Sequence, residues 1–131
     1  MIEHLDYLPK NVAGFRAKGI VTADDYQNAM EPAVAKLAED RVELNFLFII
    51  DSKLADFTSG AWLQDAFIGI KHLTKWNRAA IVTDNEGAIK FTDLFSYLAP
   101  GEFRGFPKYE LYKATEWVSG TSSSKSNSNS Y

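Results

Sequence analysis

The sequence predicts a single α/β domain: one mixed, mostly parallel sheet that begins with an antiparallel hairpin and carries about four helices. Three observations lead there. "LNFLFII" (44–50) and "AAIVT" (79–83) are apolar almost throughout, as parallel strands covered on both faces are. Stretches with apolar residues three and four apart, the spacing of an amphipathic helix, separate them. The resulting order places a helix between successive strands, and such crossovers join parallel strands with a right-handed sense.

Residues 2–8 and 13–21 read as strands joined by Pro9-Lys10-Asn11, a hairpin connection. In the second strand Phe15, Ala17 and Gly19 alternate with Arg16, Lys18 and Ile20, which predicts one more exposed face. Thr22 then caps a helix whose first turn holds Asp24 and Asp25, where unpaired N–H groups favour acidic side chains. That helix runs to about Glu39 through Tyr26, Met30, Val34 and Leu37, with a kink expected at Pro32, which has no N–H to donate.

From Ser59 the positions Leu63, Phe67, Ile70 and Leu73 recur at helical spacing to about Lys75. Asp84 or Asn85 can cap a third helix carrying Ala88, Phe91, Leu94, Phe95 and Leu98, ended by Pro100-Gly101. "EFRGF" (102–106) is a short strand, and Pro107 leads into a last helix with Leu111, Ala114, Trp117 and Val118 on one side. The domain is expected over 1–119, and "TSSSKSNSNSY" closes a polar low-complexity tail (120–131) too poor in apolar groups to offset its ordering entropy.

The chain has 131 residues, 46% of them apolar and 14% aromatic, enough for a core without staples. No cysteine is present, so disulfides, thiolate metal sites and thiol nucleophiles are excluded. A net charge of -3 and a pI near 5.3 argue against nucleic-acid partners. No run approaches a membrane span and the first residues, with Glu3 and Asp6, do not resemble a signal peptide, so a cytoplasmic location is expected.

Asp51 and Asp84 each end a predicted buried strand on its carboxyl side, where open α/β sheets place ligands. They could share a crevice as an acid-base pair or around a cation, although aspartate also favours turns there. His4 and His72 lack partners that one sequence can place, and His72 reads as a helix-end residue. No catalytic residue, cofactor or resident metal is predicted. The second and third helices carry more apolar surface than one sheet can bury: Trp62, Leu63, Phe67 and Ile70 on one, Phe91, Leu94, Phe95 and Leu98 on the other. They either pack on each other or supply an apolar cavity, a dimer contact or a membrane-facing patch. Lys71, Lys75, Trp76, Arg78 and Lys90 add a basic and aromatic set suited to anionic lipid or to a solvated helix end.

"ADDYQNAMEPAVAKLAE", "NFLFIID", "RAAIVTDNEGAIKF", "APGEFRGFP" and "ATEWV" together resemble the SpoIIAA-like branch of the STAS superfamily, which is also similar to CRAL-TRIO lipid-carrier domains. The resemblance covers about residues 1–119 and implies a domain without catalytic residues. In the anti-sigma-factor antagonists of that superfamily a serine at the start of the helix after the central strand is phosphorylated. Ser59 in "DFTSGAW" aligns with it, beside Thr58. A phosphate would suit that helix start, and so would a plain capping hydroxyl. The resulting expectation is a non-enzymatic binding domain for a small apolar or lipid-like ligand, with an anionic membrane or a protein as further partner. The alternative is a phosphorylation-switched interaction module acting through Ser59 or Thr58.

Overall fold

The computed structural model describes residues 1–40, 43–53, 56, 58, 76–97 and 101–120, with the side chains of Asp40 and Phe95 excepted. The helix expected over 59–75 and the tail from 121 lie outside them. One sheet holds β1 (Ile2–Leu5), β2 (Val12–Ala17), β3 (Leu44–Ile50), β4 (Trp76–Val82) and β5 (Glu102–Phe106), in that spatial order. β1 and β2 are antiparallel and each later pair is parallel. Between β2 and β3 run α1 (Ala23–Asp25), a π-helical segment (Tyr26–Met30) and α2 (Glu31–Asp40) without interruption. α3 (Glu86–Phe95) joins β4 to β5, and a 3-10 turn (Lys108–Glu110) leads into α4 (Leu111–Ser119).

The mixed sheet follows the prediction, with three differences of detail. The first two strands are shorter than read, and β4 begins earlier, at Trp76. The irregularity expected at Pro32 takes the form of the π segment just before it, where the Glu31 N–H donates to the Tyr26 carbonyl five residues back. The face read as more exposed is so at the residues named for it, Arg16 being half-buried and Lys18 and Ile20 exposed, but its first residues are covered. Val12 and Gly14 are buried there, and a Cβ on Gly14 would meet Leu8, so the residues read as strand end fold over that face.

All of β3 is buried, and its side chains alternate between two cores. Phe46, Phe48 and Ile50 join Phe15, Tyr26, Met30, Val34 and Ala38 under the first helical run. Leu47 and Ile49 join Val12, Ala80, Val82, Phe106, Ala114 and Val118 under α4. In the first core Phe46 packs against Phe15, Phe48 and Trp76 at centroid distances of 5.8, 6.0 and 5.4 Å. The one polar residue of β3, Asn45, accepts from Asn77 Nδ2 at 3.0 Å, so its burial leaves the carbonyl satisfied.

α3 packs tightly on β5. A Cβ on Gly105 would lie 2.6 Å from Ile89 Cα, so only glycine permits this approach. The Phe103 and Gly105 N–H groups donate to Ser96 Oγ at 2.9 Å and Asp93 Oδ1 at 2.8 Å. Side chains of α3 and of Ser96 at its end thus occupy backbone donors of the edge strand, which opposes pairing with a further strand.

The start of α1 is a capping box: Thr22 accepts from the Asp25 N–H, and Asp25 Oδ2 accepts from the Thr22 N–H at 2.8 Å. The Met1 ammonium lies 3.4 Å from the same carboxylate. Burial acts to raise the Asp25 pKa, but the Thr22 backbone hydrogen bond, the ammonium charge and the Thr22 hydroxyl outweigh it and the net shift is downward. A depressed folded-state pKa stabilises the fold above the unfolded value and loses that contribution as pH falls through the folded one. In urea unfolding below about pH 4, stability should therefore fall less steeply with acidification in Asp25→Asn than in wild type; equal slopes would contradict the assignment.

Candidate functional site

The register of the parallel strands decides which charges meet. Ile49, Val82 and Phe106 lie side by side in β3, β4 and β5 and face the core under α4. Two residues further along, on the same face, come Asp51, Asp84 and Lys108. Arg16, opposite Ile49 in β2, points to that face too. Where the apolar rows end, four neighbouring strands therefore bring four charges to the carboxyl edge of the sheet.

These charges neutralise one another. Lys108 Nζ lies 2.8 Å from Asp51 Oδ1 and 4.0 Å from Asp84 Oδ2. The Lys108 N–H donates to Asp84 Oδ1 at 3.2 Å. On the other side Arg16 Nε lies 3.0 Å from Asp51 Oδ2, a close ion pair whose angle falls short of a hydrogen bond, since that buried nitrogen has no hydrogen-bond partner. Asp51 is held from both sides and 33% exposed, whereas Asp84 reaches into solvent at 68%. Adjacent loops are tied down as well: Ser52 Oγ donates to the Gly19 carbonyl at 2.7 Å, and Gly19 turns the chain with a positive φ of 59°.

The expected meeting of Asp51 and Asp84 is thus found, but around an ammonium instead of an open crevice. Lys108 stands where a cation would bind, and it occupies oxygens that an acid-base pair would need free. Among the described residues no cluster of three or more histidine, aspartate or glutamate side chains could hold a metal ion. Arg16 and Lys108 are absent from the candidates read in the sequence. Their signal is positional: each falls in register with the ends of the buried strands, which only the pairing reveals.

The apolar candidates divide. Trp62, Leu63, Phe67, Ile70 and Leu98, the side chain of Phe95, and Ser59 and His72 lie outside the described residues. Phe91 and Leu94 project from α3 and are 69% and 65% exposed, and Tyr97, one turn on, is 88% exposed. Lys90 is exposed beside them, while Ala88, Ile89 and Thr92 turn towards the sheet side, where Thr92 is buried. α3 is set in place by Asn85, whose Oδ1 accepts from the Ala88 N–H at 2.8 Å. Thr58 is exposed and its N–H donates to the Val21 carbonyl at 2.9 Å. His4 packs its ring on Phe15 at 5.2 Å.

A family model described as SpoIIAA-like matches residues 12–119. No curated protein matches the chain. Among solved structures, the crystal structure of an uncharacterized protein of the DUF3478 family with a SpoIIAA-like fold, from Shewanella loihica PV-4, superposes with a TM-score of 0.70 at 23% identity. The match covers 89% of this chain and 93% of that one, and it shows a shared fold.

The network predicts coupling between its members. Lys108→Ala should destabilise the fold by about 1 kcal/mol in urea unfolding, and less in high salt. With Asp51→Asn already present the same change should cost less, because one of the carboxylates it strands is gone. Strictly additive losses would show that the two residues do not interact.

Proposed function

The chain belongs to the SpoIIAA-like family, and on that premise we propose that it is a non-enzymatic binding domain for an apolar or lipid-like ligand, able to associate peripherally with an anionic membrane. The observation that supports this reading is the exposed row of Phe91 and Leu94 on α3 and Tyr97 just past its end, with Lys90 among them. Folding gains little from large apolar groups such as Leu94 and Tyr97 exposed to water, so their grouping suits a partner that removes them from it. A basic residue within the stripe suits an anionic headgroup. The carboxyl-edge charges support the non-enzymatic half of the proposal, because Arg16, Asp51, Asp84 and Lys108 are already ion-paired with one another.

No helix among the described residues is long and apolar enough to cross a membrane, so the contact envisaged is with a surface. Burying a leucine side chain is worth about 1.5–3 kcal/mol, so Leu94→Asp should lower vesicle binding by about tenfold or more. The wild-type chain should float with vesicles containing anionic lipid, less in high salt, and should carry an apolar adduct in native mass spectrometry. A clean apo mass with no flotation would overturn the proposal. The alternative switch makes another demand: a protein partner captured by wild type and lost with Thr58→Asp or Ser59→Asp.

A further inference from the structure

Beyond the α3 stripe, the other face of the same edge strand carries an arginine with an unusual setting. Arg104 lies on the α4 side of β5, opposite the Phe103 and Gly105 side against which α3 packs. Its guanidinium carbon sits 4.9 Å from the Phe106 ring centroid and 5.5 Å from that of Trp117. Arg78 reaches the same indole from β4, at 5.1 Å. Two like charges share one ring, on a chain whose net charge is -3.

Arg78 is largely committed. Its Nε donates to Glu102 Oε1 at 3.1 Å and its Nη1 to the Trp117 carbonyl at 2.7 Å. Arg104 has no such partner: among the described residues it forms neither an ion pair nor a hydrogen bond, and it is exposed. Its guanidinium is held over aromatic rings with its N–H fork open to solvent. The rings restrict a side chain whose ordering otherwise opposes binding, which pre-organises it for an oxyanion.

We propose that Arg104, positioned by Phe106 and Trp117 and flanked by Arg78, is the recognition residue of a phosphate-binding site on the α4 face of β5. Phosphate fits better than carboxylate, because it carries more charge and its tetrahedral oxygens can meet the Arg104 fork in more than one plane, whereas a carboxylate presents two coplanar ones. An extended peptide adding to the strand is disfavoured, since Ser96 and Asp93 already occupy the outward N–H groups of Phe103 and Gly105. The phosphate belongs to a lipid headgroup or to a soluble phosphate compound, and both present the same chemistry to the fork. The site does not depend on the α3 stripe, which lies on the other side of the strand.

The test is a titration of the full chain, followed by the indole N–H signals in proton–nitrogen correlation spectra. Inorganic phosphate should shift the Trp117 signal saturably, and Arg104→Ala should weaken the apparent affinity by about tenfold or more while leaving the melting temperature near wild type. Arg104→Lys, which keeps the charge and loses the fork, should fail to restore it. Leu94→Asp should leave this titration unchanged, which separates failure of this site from failure of the α3 reading. Flotation on phosphatidic acid vesicles that is sensitive to Arg104→Ala, with only weak binding of free phosphate, would assign the site to headgroups; the reverse would assign it to soluble phosphates. Equal response to acetate, full rescue by lysine, or no saturable shift and no effect of Arg104→Ala on flotation would overturn the proposal.

Discussion

The structure depends on the complete burial of β3. A seven-residue strand with both faces apolar must have its backbone groups paired on either side and its side chains covered above and below. Parallel β2 and β4 meet the first requirement. The α1 to α2 run and α4 meet the second, each over its own core. The same alternation that sends Phe48 to one core and Ile49 to the other also determines where the sheet turns polar. Once the apolar rows end, the next residues in register are Asp51, Asp84 and Lys108, and the rim of the α4 core closes with charges.

Much of this was legible because it rests on local rules. The apolar run 44–50, the Thr22 cap with its acidic first turn, the Asn85 cap and the apolar side of α4 all need only neighbouring residues to be read. What escaped depends on how segments meet in three dimensions. Covering of the start of the second β2 face requires Leu8 to fold back over Gly14, and the π segment accompanies a proline from which only a kink is read. The carboxyl-edge network needs the register of four strands. Asp51 and Asp84 could be nominated as strand ends, but Lys108 between them follows from pairing that no short stretch encodes.

Two kinds of surface result, and their contrast carries the functional reading. At the carboxyl edge each charge has an opposite within reach, so the site is electrically complete and holds the loops and the start of the last helix in place. Along β5 and α3 the accounts do not close. Leu94 and Tyr97 stand largely in water on one side of the edge strand, and on the other Arg104 lies on aromatic rings without a counter-charge among the described residues. The edge strand itself is protected from strand addition by Asp93 and Ser96. Recognition through side chains, apolar on one face and anionic on the other, is what that arrangement favours.

Hydrogen–deuterium exchange of the full chain with and without anionic vesicles locates contact without presuming where it falls. If α3 and β5 form the binding surface, protection concentrates there, with the turns around Asp51 and Asp84 unchanged. Protection centred instead on the carboxyl edge, or none anywhere in the chain, would contradict that reading.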